Sequence, residues 1–301
     1  MQPVSPLTNS PDVTFVKAIR TAQLIADWQQ AFQIDISKEF DTCEEIKLYQ
    51  CNQTKLRFFD PPITGSGKLY AQLQNIDQYY LPDRWEHQLA LQDLFGCKAA
   101  LEIGAASGYF VRTAIAAGLD MRGIELNQAA VATAQTAGLP VTYLDLKEAA
   151  TLYERSLDGV CSFQVLEHVP DPKQFIQWAV NMLKPGGILI FCVPNAESFL
   201  KYQYNLLDMP PHHLTQWSDL SFRSLEEIFP VQLEKIIFEP LAKYHTTGYL
   251  STYFNHFRAE RPLLRLLLNR YTLSLSQAIL DLGFRQYFRG QSLYVKFRKI
   301  Q

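Results

Sequence analysis

The sequence predicts an α/β chain built on a mostly parallel sheet. Two observations carry that expectation. Between residues 98 and 193, five short apolar runs alternate with helix-like stretches, which is the rhythm of βαβ units. The first run ends in Gly104-Ala105-Ala106-Ser107-Gly108, a small-residue turn of the kind that brings backbone close to a ligand at the carboxyl end of a strand.

Each element follows from local pattern. The strands are the run ending at Gly104, then MRGIE (121–125), VTYLD (141–145), DGVCSFQ (158–164) and ILIFCV (188–193). VQLEKIIFEP (231–240) is expected as a sixth strand, and SLYVKF (292–297) as a seventh at an edge. Helices are expected between them, with Lys184-Pro185-Gly186-Gly187 as the turn before the fifth strand. In the amino-terminal part, Phe15, Ile19, Ala22, Ile25, Trp28 and Phe32 recur at helical spacing, so one amphipathic helix is expected over 15–32. Residues 46–96 are dense in aromatics, among them Tyr79, Tyr80 and Trp85, which suit either a lid or a cover for the sheet edge. The expected division is an extension over 1–96 and a main domain over 97–301. A helical insertion is expected at 246–288, with Pro262 at a helix start.

Composition narrows the function classes. Hydrophobic residues make up 48% of the 301-residue chain, enough for a substantial core, and charged residues only 19%, which excludes disorder as the main state. The net charge of -2 gives no general pull toward nucleic acid. No apolar run approaches the ~20 residues that span a bilayer. The opening MQPVSPLTNSPDV has neither the basic nor the apolar region of a signal peptide. Five cysteines without C-x-x-C spacing argue against structural zinc and for a reduced, cytoplasmic protein.

The glycine turn admits two ligand classes. The dinucleotide fingerprint G-x-G-x-x-G fails twice here, because Ala106 and Tyr109 stand where its second and third glycines belong. S-adenosylmethionine needs no pyrophosphate cradle, only close backbone approach and recognition of its ribose hydroxyls. Glu125, ending the second strand, is placed to accept both hydroxyl protons.

Four motifs in order then carry a resemblance. LEIGAASGYF, IELN, FQVLEHVPDP and LKPGGILIFCVPN resemble the core of class I S-adenosylmethionine-dependent methyltransferases over 98–195, with Glu102 and Ala106 in place of the more usual Asp and Gly. The resemblance implies a Rossmann-like seven-stranded sheet with an antiparallel last strand. It implies that Glu102, Gly104, Ala106 and Gly108 shape the methionine and ribose pocket and that Glu125 holds the ribose. Leu126 would then pack on adenine, Asp145 and Leu146 lie at the adenine edge, and Phe163 and Gln164 line the cofactor floor. Tyr80 would reach the cofactor from the extension. YQCNQTKLRFFDPP and the following KLYAQLQNIDQYY…RWEH resemble the segment ahead of the core in methyltransferases of surface-polysaccharide and other small-molecule biosynthesis.

The expected activity is methyl transfer to a small acceptor, more readily a hydroxyl of a sugar, glycan precursor or other metabolite than nitrogen or carbon. The competing reading is a non-catalytic or partner-binding scaffold that keeps the fold, with 246–288 as the partner surface. Removal of a hydroxyl proton calls for a base. His212 and His213, presented by Pro210-Pro211, are the candidates, with His168 of the Glu167-His168 pair behind them. The alternative for the pair is an anchor for its loop. A metal is not expected, since two sequential histidines lack i, i+4 spacing. The arginines of 246–288 allow three readings: a solvated helical face first, then a subsite for an acidic substrate group, then a basic helix resting on a membrane.

Overall fold

The computed structural model describes residues 2–73, 76 and 84–301. Strands β1 (Val13–Arg20), β2 (Glu45–Cys51) and β3 (Arg57–Asp60) form an antiparallel sheet that is completed by β9 (Thr215–Gln216). The main sheet contains β4 (Ala100–Ile103), β5 (Met121–Glu125), β6 (Val141–Tyr143), β7 (Leu157–Phe163), β8 (Leu183–Pro194), β10 (Val231–Pro240) and β11 (Arg289–Lys299). Its order is β10-β11-β8-β7-β4-β5-β6. The strands from β4 to β8 pair in parallel, while β11 runs antiparallel to both β8 and β10. This is the Rossmann-like arrangement the motifs implied.

The continuous apolar run of β8 is explained by helices covering both faces of the sheet. Leu189, Phe191 and Val193 join one buried cluster, while Ile188, Ile190 and Cys192 join another on the opposite face. Helices start where short polar side chains satisfy their first N–H groups. Asn127 caps residues 128–136, and Asp171 caps 172–182 with Pro172 in the first turn. A third cluster, with Trp28, Leu24, Ile46, Phe59 and Met209, lies under the smaller sheet.

Two sequence expectations are corrected here. The helix expected from Phe15 begins only at Thr21 and runs to Phe32, while Val13–Arg20 pairs with β2 as a strand. Phe15 is exposed, so its spacing from Ile19 marks no common face, and the β-branched Val13, Thr14, Val16 and Ile19 favour the extended form. SLYVKF does not form an edge. It lies inside β11, between β8 and β10, and β10 is the edge strand.

Every loop at the carboxyl ends of β4, β5, β6, β7 and β8 lies along one edge of the sheet, where open α/β sheets bind ligands. Because β10 runs in the same sense as β8, its end at Pro240 reaches that edge too. Residues 241–288, which carry the helices Thr246–Glu260 and Arg270–Asp281, therefore leave and rejoin the sheet beside the ligand edge.

Candidate active site

The loop after β4 turns through three left-handed residues, Gly104 (φ 78°), Ala106 (φ 45°) and Gly108 (φ 78°). A Cβ on Gly104 would lie 2.4 Å from Val165 Cγ2, and one on Gly108 would lie 2.8 Å from Leu139 Cδ1. The two glycines are required by backbone conformation and by packing together. Ala106 takes the same region with a side chain, at a cost of ~1–2 kcal/mol. Its N–H donates to Glu125 Oε2 at 2.9 Å, and the N–H groups of Leu126 and Asn127 donate to Oε1 at 2.7 and 2.8 Å. Glu125 thus joins the first two loops of the ligand edge through its own carboxylate.

Beneath this loop Glu102 is buried in β4, and its Oε2 has no hydrogen-bond partner among the described residues. Burial, with the nearby Glu125 charge, pushes its carboxyl up to about 8. An orphaned buried oxygen beside a left-handed glycine turn fits a ligand carrying a positive group. Phe163 is buried against Phe110 and His87, with ring centroids 5.0 and 5.3 Å away. Gln164 is left-handed (φ 55°), and its N–H donates to the Cys192 carbonyl at 2.7 Å. Leu126 is exposed and Leu146 half-buried, while Asp145 caps the helix after β6 by accepting from Glu148 N–H at 2.8 Å. Tyr80 and Tyr79 lie outside the described residues. Trp85 packs toward Tyr294 of the core.

The second half of the site is a histidine cluster. Residues 209–215 are buried, and Leu214 N–H donates to the Glu167 carbonyl (2.8 Å) while its own carbonyl accepts from Phe59 N–H (3.0 Å). This stitches the smaller sheet to the loop after β7 and brings His168 against His212 and His213, with ring centroids 4.5 and 4.8 Å apart. His168 Nδ1 donates to the His212 carbonyl (2.6 Å), and His212 Nδ1 donates to the Leu207 carbonyl (2.8 Å). His213 Nδ1 faces Asp208 Oδ1 at 3.2 Å, and its Nε2 lies 4.0 Å from Glu167 Oε1.

Electrostatics separates the members of this cluster. Burial, with the His213 charge, lowers His168 to about 3, and burial with its two histidine neighbours takes His212 well below the usual imidazole range. Burial raises Glu167 to about 7, and neither of its carboxylate oxygens has a hydrogen-bond partner among the described residues. One ring nitrogen from each histidine lies within 4.8 Å of the others, so the three could hold a metal ion. The sequence expectation set a metal aside because it counted only the adjacent pair.

Three residues of the site carried no sequence assignment. Asp208 faces His213 Nδ1. Glu86 and His87 are buried beside Gln164 and Phe163, and burial lowers His87 to about 4. Only the RWEH stretch signalled the last two.

Residues 74–233, more than half of the chain, match the family described as a methyltransferase domain. The chain belongs to this methyltransferase-domain family. Its cofactor is S-adenosylmethionine, whose cationic donor group suits the orphaned Glu102 oxygen. Among similar proteins is a ubiquinone biosynthesis O-methyltransferase of Ralstonia nicotianae, 28% identical over 162 residues, covering 48% of this chain and 68% of the relative. Another of that name, from Escherichia coli O127:H6, is 35% identical over 109 residues, covering 34% and 45%. The chain spans less than two thirds of the length of several such curated relatives. Among solved structures, a SAM-dependent methyltransferase from Archaeoglobus fulgidus is similar at 16% identity and a TM-score of 0.46, covering 71% of this chain and 94% of that one.

Proposed function

We propose that the protein transfers a methyl group from S-adenosylmethionine to a hydroxyl oxygen of a small acceptor such as a sugar, glycan precursor or other metabolite. The observation that carries the oxygen reading is His213 held between Asp208 on Nδ1 and Glu167 near Nε2, on a loop hydrogen-bonded to the segment that follows β7. A hydroxyl must lose its proton as it attacks, and a histidine oriented by a carboxylate is built for that task. The O-methyltransferase names of the relatives support the same choice.

The cofactor supplies a methyl group on a sulfonium, with a neutral thioether as its leaving group. The chain's own residues do the rest. Glu125 and the turn 104–108 hold the donor, and Glu102 offers a carboxylate to its positive end. His213 Nε2 takes the acceptor proton, and Asp208 stabilises the imidazolium that results. The buried loop 209–215 keeps water from that proton transfer. Five cysteines, unpaired in the structure, suit a reducing cytoplasmic setting.

Incubation with methyl-labelled S-adenosylmethionine and a fractionated small-molecule extract tests the proposal. Mass analysis should find label on an acceptor oxygen, and label on nitrogen or carbon alone would overturn it. The triad His168, His212 and His213 favours a second reading, in which a bound metal ion lowers the acceptor hydroxyl's pKa instead. Turnover that disappears with EDTA and returns with a divalent metal would select that reading.

A further inference from the structure

We propose that residues 241–288 form a surface that docks the protein onto an anionic lipid bilayer. The segment lies beyond the matched residues 74–233. Its helix Arg270–Asp281 carries apolar residues on two opposite sides. Leu273 and Leu280 pack inward with Phe199, Leu241 and Leu250. Tyr271 and Leu275, one turn apart on the other side, are 70% and 63% exposed. The preceding turn adds Leu263 and Leu266, 87% and 83% exposed, and Leu282 follows at 80%. A helix packed on a globular core usually shows polar residues on that outer side.

Charge selects the occupant. Arg258, Arg261, Arg265 and Arg270 are exposed, and none forms an ion pair among the described residues. The only acidic residues of 246–288 are Glu260, which faces His256, and Asp281, which accepts from Gln277. Exposed leucines flanked by unpaired arginines match the interface of a bilayer, where acyl chains take the apolar groups and anionic headgroups take the cations. A second copy of this surface would bring like charges together. No helix among the described residues is long and apolar enough to cross a membrane, so the contact is peripheral. The segment leaves and rejoins the sheet at its cofactor edge, so docking would present the active site toward the lipid surface.

Co-sedimentation of the full chain with vesicles tests this without cofactor or turnover, so its outcome is separate from that of the methyl-transfer proposal. The protein should pellet with phosphatidylcholine vesicles containing phosphatidylglycerol, and far less with phosphatidylcholine alone. The exposed substitutions Leu263→Ser with Leu266→Ser should weaken binding by about tenfold or more. Arg261→Ser with Arg265→Ser should remove the preference for phosphatidylglycerol and its sensitivity to salt. Unchanged circular dichroism and thermal unfolding in both variants would show that the fold is intact. No pelleting of the wild type, or pelleting that survives both pairs of substitutions, overturns the proposal. So does light scattering that shows the leucine surface pairing two copies in solution.

Discussion

Glu102→Gln gives a sharp test of the buried carboxylate beneath the glycine turn. Glu102 ordinarily titrates at 4.5 and is pushed up to about 8 by burial and by Glu125. The folded protein therefore prefers its neutral form. The sign follows: stability from this group is fully present below pH 4.5 and is lost as pH rises through about 8. Between those values the folded state holds one more proton than the unfolded chain, so stability falls by ~1.4 kcal/mol per pH unit. The full loss is on the order of 5 kcal/mol. Glutamine keeps the shape and cannot ionise. Urea unfolding of both proteins at intervals from pH 5 to pH 8 should give a flatter profile for the variant, with the gap in its favour widening toward pH 8. Donor binding should narrow that gap, because a cationic ligand favours the ionised carboxylate, and calorimetry in two buffers should detect the proton released. Parallel pH profiles for the two proteins would refute the reasoning.

Other substitutions reach different parts of the structure. His213→Ala should lower kcat by roughly 10²–10⁴-fold with donor affinity unchanged, measured by steady-state kinetics and donor titration. Asp208→Asn should lower kcat in the same direction by releasing the Nδ1 side of His213, and an unchanged kcat would remove Asp208 from the mechanism. Ala106→Gly should preserve donor binding and raise stability by up to ~1 kcal/mol, since Ala106 sits at φ 45°. Trp28→Ala empties a fully buried site under the smaller sheet and should cost ~3–5 kcal/mol in denaturant unfolding.

The candidate donor half of the site was legible because its parts are local. The turn 104–108, Glu125 and Gln164 each end a strand whose apolar run announces it, and parallel topology then gathers them along one edge. The acceptor half was only partly legible. His212 and His213 stood out beside two prolines, but His168 reaches them across 44 residues, through hydrogen bonds that only the assembled sheets create. That same long-range contact hides a potential metal triad from a reading of spacing alone. The fourth strand of the amino-terminal sheet, Thr215–Gln216, was not legible because it pairs with Arg57–Asp60 from a distant part of the chain. The leucines of 263–268 signalled helix in the sequence, but no sequence pattern distinguishes an apolar stripe that packs from one left in solvent.

Calorimetric titration with S-adenosylmethionine tests the central claim most directly, that the turn 104–108 and Glu125 form the donor site. The wild-type protein should bind saturably. Glu125→Ala should weaken binding by roughly 10–100-fold through loss of charged hydrogen bonds. Gly104→Val should abolish it, because a Cβ there meets Val165 at 2.4 Å in a left-handed backbone. Wild-type affinity in both folded variants would contradict the assignment.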